Sequence, residues 1–303
     1  MMCDKIINIE NLTKDYGHGR GVFDVSIQVK RGECYGFLGP NGAGKTTTIR
    51  HMMGFSKPDR GTTSVYGKDS WAYAAELKRD IGYLPGEIAL PAGLTGEGFL
   101  KMMRNMHGYT DDTQCKALLE RFRLHAGRKT NEMSLGEKRK LAIVAAFMHD
   151  PQILILDEPT SGLDPVMQQE FISFVREEKT RGKTIFLSSH IFSEVDALCD
   201  RIAIIKDGRI VSEFRAEELK KSQDAVYTVR FGNEASYRAF KEKDYELTAD
   251  SQERLKVKVR VPSAKINEFI LELSSLQIDA FHKVPFSLED YFMNFYKNEE
   301  VQP

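Results

Sequence analysis

The chain has no apolar run long enough to cross a membrane. The longest in its 303 residues, Leu141 to Met148, is eight residues, against the roughly 18 that a spanning helix needs. If the protein works at a membrane, another chain does the spanning. No apolar stretch follows the opening Met-Met-Cys-Asp-Lys, so no signal peptide is expected. Excess charge is missing too: Lys+Arg is 43 and Asp+Glu is 44, which leaves no electrostatic footprint for nucleic acid. There is no paired cysteine motif. Cys3, Cys34, Cys115 and Cys199 are scattered, a pattern that suits reduced cytosolic thiols rather than a metal site. No internal repeat or low-complexity tract is visible. What remains is a globular chain with room for one large domain and a small one.

Strand and helix signals alternate along the first two thirds. Lys5 to Ile9 and Phe23 to Val29 read as strands. In the second, Val25, Ile27 and Val29 alternate with Ser26 and Gln28, the mark of a half-buried strand. Glu33 to Leu38 is a third strand. The stretch from about 96 to 148 is mostly helical. Short β-rich runs resume at Gln152–Leu156, Thr184–Leu187 and Arg201–Ile205, separated by amphipathic helices. This alternation predicts an α/β fold with a mostly parallel sheet covered on both faces. Asp207-Gly208 predicts a hairpin turn, which closes a first domain spanning 1–220. Residues 221–303 then read as a small α+β domain. Ala225, Tyr227, Val229 and Phe231 alternate, as do Leu255, Val257, Val259 and Val261. Ile266, Phe269, Ile270 and Leu273 recur at helical spacing. Ser287 and Asp290 form a capping-box pattern before a last helix with Tyr291 and Phe295.

Two motifs carry chemistry. Gly39-Pro40-Asn41-Gly42-Ala43-Gly44-Lys45-Thr46, followed by Thr47, satisfies G-x-x-x-x-G-K-[ST] between a strand and a helix. The glycines let backbone N–H groups approach phosphate. Lys45 is aimed at the β- and γ-phosphates, and the Thr46 hydroxyl at Mg²⁺. The second motif is the apolar run Ile153 to Leu156, which ends in Asp157 and Glu158. Unpaired buried carboxylates are costly, so packing does not explain this ending. Asp157 is expected to hold the Mg²⁺ shell and Glu158 to polarise the attacking water. The expected ligands are thus ATP and Mg²⁺.

With these motifs the chain resembles the ATP-binding subunits of ABC transporters, over about residues 5 to 215. Met133-Ser134-Leu135-Gly136-Glu137 sits where that family has its signature. Ser161-Gly162-Leu163-Asp164 matches its D-loop, and Ser188-Ser189-His190 its switch histidine. Tyr16 matches the aromatic that stacks on adenine, with Phe23 the next candidate. The resemblance implies a P-loop core with a helical insert and a nucleotide sandwiched between two subunits, a homo- or heterodimer. One subunit supplies the P-loop; the other supplies Ser134 and Gly136 at a helix N-terminus, where free N–H groups and the dipole favour phosphate. It further implies integral membrane partners and a position at the inner face of the cell membrane, with hydrolysis coupled to transport. The Gly-Glu loop, the Ser134–Lys140 stretch and the Ser287–Met293 segment resemble the antibiotic and multidrug exporters.

Two positions depart from the family pattern. Leu135 replaces the first signature glycine. Gly86-Glu87 follows Pro85 where the family usually has glutamine. Glu87 is either a Mg²⁺ or water contact or a solvated loop acid. One rival reading is a soluble ABC-type ATPase with a non-transport role, although the chain has neither a second cassette nor a basic linker. The other is a GTPase or kinase, but no Asn/Thr-Lys-x-Asp guanine motif is present. All the motifs precede residue 215, so the C-terminal domain is not expected to enter the nucleotide chemistry. The transported substrate is not encoded here, because its contacts would lie in another chain.

Overall fold

A computed structural model describes residues 5–218, 225–284, 288–289 and 291–292. Its contacts divide the chain into two compact units, Met1–Ala216 and Glu217–Pro303.

The first unit begins with strands β1 (Lys5–Asp15) and β2 (Gly21–Lys30), then β3 (Cys34–Leu38) and helix α1 (Lys45–Met52). β4 (Arg60–Val65), β5 (Lys68–Asp69), α2 (Ala74–Asp80) and β6 (Ile81–Leu84) follow. The helical stretch consists of α3 (Gly96–His107), α4 (Thr113–Arg121) and α5 (Leu135–Phe147). The remainder is β7 (Ile153–Asp157), α6 (Pro165–Thr180), β8 (Thr184–Ser189), α7 (Phe192–Leu198), β9 (Arg201–Lys206) and β10 (Arg209–Arg215).

Six of these strands form one sheet in the order β10-β9-β3-β8-β7-β6. β9, β3, β8, β7 and β6 are parallel neighbours. Only β10 runs the other way, joined to β9 by the hairpin at Asp207 and Gly208, whose φ values are 47° and 74°. Both are positive, as a two-residue hairpin matching strand twist requires. Every residue of β3, β7 and β8 is buried. That follows from an apolar run packed on both faces, with α7 against β3 and β8 and α1 against β7.

β1 and β2 take no part in this sheet. With β4 and β5 they form a second, antiparallel sheet in the order β2-β1-β4-β5. β1 also runs on to Asp15, beyond the Ile9 expected from its apolar residues. The alternation in β2 is the physical reason for the separate sheet. Val25, Ile27 and Val29 are buried while Ser26, Gln28 and Lys30 are exposed, so this strand has one wet face and cannot sit inside a doubly covered parallel sheet.

The second unit contains β11 (Ala225–Phe231), α8 (Glu234–Lys241), β12 (Glu246–Ser251), β13 (Lys256–Val261), α9 (Ile266–Ser274) and β14 (Ile278–Val284). Its sheet order is β12-β13-β11-β14, with every neighbouring pair antiparallel. This β-α-β-β-α-β arrangement is ferredoxin-like. Tyr227, Val229, Phe231, Val257, Val259 and Val261 face a core that takes in Phe240 of α8 and Phe269 of α9. Ile270, one of the residues in the helical spacing, is 49% exposed and points away from that core. The capping-box pair Ser287 and Asp290, with Phe295, lies outside the described residues.

Candidate nucleotide site

β3, β6, β7 and β8 are parallel, so their C-terminal ends meet at one edge of the sheet. The segments that leave those ends are the P-loop, Pro85-Gly86-Glu87, Asp157-Glu158 and Ser189-His190. This edge is where open α/β sheets place their ligands.

The P-loop turns into α1 at Gly44, the N-cap, with φ 108°. A side chain there would be strained, and its Cβ would lie 2.7 Å from Val22 Cγ1. The turn therefore needs glycine for both conformation and space. No side chain caps α1, so its first N–H groups remain available to an anion. Lys45 is 5% exposed. Its ammonium donates to Gly39 O at 2.6 Å and Pro40 O at 3.1 Å and pairs with Glu158 Oε1 at 3.0 Å. A phosphate arriving at the loop would compete with Glu158 for this ammonium.

Thr46 Oγ1 donates to Asp157 Oδ2 at 2.8 Å. Asp157 is fully buried and also accepts from the Ser188 hydroxyl. Glu158 is left-handed, with φ 48°. For a non-glycine residue that costs on the order of 1 kcal/mol and marks a site where geometry is enforced. Its other oxygen, Oε2, lies 2.5 Å from His190 Nδ1. Lys45, Glu158 and His190 are thus linked through one carboxylate. Glu87 lines the same cleft of about 830 Å³, together with Asn41, Thr47, Arg50 and Ser161. Gly86 explains how the Glu87 segment comes so near: a Cβ at that position would meet Asp157 Oδ2 at 3.1 Å.

The remaining candidates are elsewhere. Tyr16 is 51% exposed and outside the cleft lining, as is Phe23, over which the Arg209 guanidinium sits at 5.4 Å. Ser134 caps α5 in a full capping box: its hydroxyl accepts from Glu137 N at 3.2 Å, and its own N–H donates to Glu137 Oε2 at 2.8 Å. Gly136 lies close against the Gly162 carbonyl. Asp164 caps α6, accepting from Met167 N at 3.0 Å.

Two residues that the sequence reading passed over hold the site together. Arg139 of α5 is 2% exposed. Its guanidinium donates to Pro85 O, Gly86 O and Ser161 O at 2.8, 2.6 and 2.9 Å. It therefore ties α5 to both the Glu87 segment and the Ser161-Gly162-Leu163-Asp164 turn, and gives the buried guanidinium three carbonyl partners. The sequence offered little hint, because Arg139 stands among Glu137, Lys138 and Lys140 and reads like one more charge of a solvated first turn.

Glu194 of α7 is the other. It is 3% exposed. One carboxylate oxygen takes the Thr160 hydroxyl, two residues after Glu158; the other takes the Ser189 hydroxyl, next to His190, at 2.8 Å. Burial pushes its carboxyl up to about 7, the Glu158 charge pushes the same way, and the Ser189 hydrogen bond opposes them. A carboxyl whose folded pKa exceeds its unfolded value stabilises the fold fully below the unfolded pKa. That stabilisation is lost as pH rises towards 7. Glu194→Gln removes the titration and keeps the shape. Relative to wild type, the variant is expected to gain on the order of 3 kcal/mol of unfolding stability between pH 5 and pH 8. Parallel stability curves for the two proteins in urea titrations across that range would rule this out.

Fold and cleft together define a P-loop ATPase. Residues 22–161 match the ABC transporter family. The chain is 34% identical over 296 residues to the bacitracin transport ATP-binding protein BcrA of Bacillus licheniformis, covering 95% of this chain and 96% of that one. It is 37% identical over 222 residues to the Nod factor export ATP-binding protein I of Burkholderia orbicola, covering 72% and 73%. A solved ATP-binding subunit of an ABC transporter superposes with a TM-score of 0.66 at 31% identity, over 71% of this chain and 92% of that one. The chain belongs to the ATP-binding subunits of ABC transporters. It is an ATPase of the exporter type, and its hydrolysis is coupled to transport.

Proposed function

We propose that the chain binds MgATP at this sheet edge and hydrolyses it between two ATP-binding subunits to drive export through separate integral membrane subunits. The observation that carries this reading is the chain of contacts Lys45–Glu158–His190 beside Thr46–Asp157. It gathers a phosphate-binding cation, a base and a pair of hard oxygen donors at the ends of parallel strands. Lys45 and the P-loop backbone from Gly39 to Thr46, with Thr47, orient the phosphates. Glu158 accepts the proton of the attacking water, whose oxygen bonds to the γ-phosphorus as the bridging bond to ADP breaks. His190 holds Glu158 and faces the γ-phosphate.

The donor set fits Mg²⁺. A threonine hydroxyl and a carboxylate are hard ligands of the kind it takes, and Glu87 in the same cleft is a third. Bound there, the cation neutralises charge on the phosphates. Tyr16 stacks on adenine. Ser134, Gly136 and Asp164 act across the subunit boundary, which accounts for their lying outside this chain's own cleft.

A groove of about 450 Å³, lined by apolar residues including Ile88, Leu90, Phe99 and Met103, supports docking of a membrane partner. Phe55, Tyr83, Pro85 and Ala89 line both this groove and the nucleotide cleft, so a segment seated in one is felt in the other. Among the described residues, no helix is long and apolar enough to cross a membrane. We place the chain peripherally at the inner membrane face, with cargo chosen by its partners. BcrA's name points to bacitracin as one cargo to test. The metal assignment has a direct test: chelating divalent cations with EDTA is expected to abolish phosphate release, and Mg²⁺ is expected to restore it. Hydrolysis that persists in EDTA would refute the Thr46–Asp157 metal site.

A further inference from the structure

One face of the second unit's sheet is covered by α8 and α9; on the other, called the open face, Arg230, Lys258, Arg260 and His282 are exposed. The open face is basic. β11 and β13 place Arg230 directly opposite Lys256, and Thr228 opposite Lys258. Like charges directly opposite across an antiparallel pair are destabilising, yet here a guanidinium and an ammonium share one cross-strand position. Lys258 and Arg260 continue the row along β13.

Nearby acids answer only part of this charge. Glu246 pairs with Arg260 at 2.7 Å, and Asp279 approaches Arg230 at 3.7 Å. Arg254, Lys256 and Lys258 have no ion pair among the described residues. The backbone also holds the cations together. Leu255, between Arg254 and Lys256, is left-handed with φ 45° and ψ 44°. This is an unfavourable conformation for a leucine, and it packs the Leu255 side chain against the unit's core while both flanking cations line the open face. The floor is small: Thr228 is 2% exposed, and Ala280 lies beside it. The result is a concavity of about 400 Å³ lined by Thr228, Arg230, Arg254, Lys256, Ala280 and His282.

We infer that this concavity binds a small soluble anion bearing phosphate groups with two or more negative charges. Guanidinium forks and a flexible ammonium around a hydroxyl floor match phosphate oxygens. A multiply charged ligand also relieves the Arg230–Lys256 repulsion. The lining holds no Phe, Tyr or Trp, and its one aromatic ring, the His282 imidazole, offers no platform for a run of bases, which argues against single-stranded nucleic acid. The site is built from residues of the second unit alone and shares none with the P-loop cleft.

The test is calorimetric titration of the full chain with inorganic pyrophosphate while saturating ADP fills the P-loop. Wild type is expected to show ADP-insensitive binding. Arg254→Ser with Lys256→Ser is expected to weaken that binding at least about tenfold, a difference of about 1.4 kcal/mol, with ADP affinity and basal ATPase unchanged. Absence of ADP-insensitive binding in wild type, or its retention in the double variant, would overturn the inference. A parallel flotation assay with phosphatidylglycerol vesicles separates the two sources of phosphate. Vesicle binding that the double variant loses, without pyrophosphate binding by wild type, would assign the face to lipid headgroups instead.

Discussion

Glu158→Gln is expected to lower phosphate release about 10²–10⁴-fold, the usual contribution of a positioned general base, or roughly 3–5 kcal/mol of barrier. Glutamine keeps the size of the side chain and can still hydrogen-bond a water and His190, but it cannot accept the water's proton. ATP affinity should hold or rise for two reasons. A carboxylate beside the γ-phosphate repels it, and the substitution ends the competition in which Glu158 holds the Lys45 ammonium at 3.0 Å. With hydrolysis stalled, ATP stays between Lys45 of one subunit and Ser134 of another, so ATP-dependent dimers should accumulate for the variant and not for wild type. Gel filtration with and without MgATP, beside a phosphate-release assay, reads both effects. Wild-type turnover in the variant would remove Glu158 as the base. If Glu87→Gln then abolished turnover, the role would pass to Glu87, which lines the same cleft. Loss of ATP binding would recast Glu158 as a metal ligand.

Lys45→Ala is expected to abolish productive ATP binding. Lys45 is the buried cation of a loop otherwise built from backbone donors, and each charge-assisted hydrogen bond to phosphate contributes about 1.5–3 kcal/mol. Two such bonds amount to at least about a hundredfold in affinity. The substitution also leaves Gly39 O and Pro40 O without their donor and Glu158 without its cation, so a circular dichroism melt must accompany the binding assay. A folded variant with near-normal nucleotide affinity and ATPase rate would refute the P-loop assignment.

The chain is legible where chemistry and local backbone coincide. An eight-residue loop that needs left-handed glycine, or an apolar strand ending in two acids, announces itself because its constraints are short-range. The hairpin at Asp207-Gly208 is legible for the same reason. The alternation of β11 and β13 likewise marked them as strands, but α8, β12 and β14 went unread; α8 is amphipathic yet spans only eight residues. β14, for example, is mostly exposed, so burial imposes little apolar periodicity on it.

Residue order alone carries the P-loop motif, the acidic strand end and the family to which they belong, because these depend on neighbours a few bonds apart. Tertiary structure decided which strands share a sheet. It sent β1 and β2 to a separate antiparallel layer and set β8 between β3 and β7, which brings His190 to Glu158 and Glu158 to Lys45. It also decided that Arg139 and Glu194 would matter. Arg139 bonds to carbonyls 22, 53 and 54 positions away. Glu194 bonds to a hydroxyl 34 positions away as well as to one five away. Burial made those bonds obligatory, because a guanidinium or carboxylate removed from water must find partners wherever the packed chain provides them.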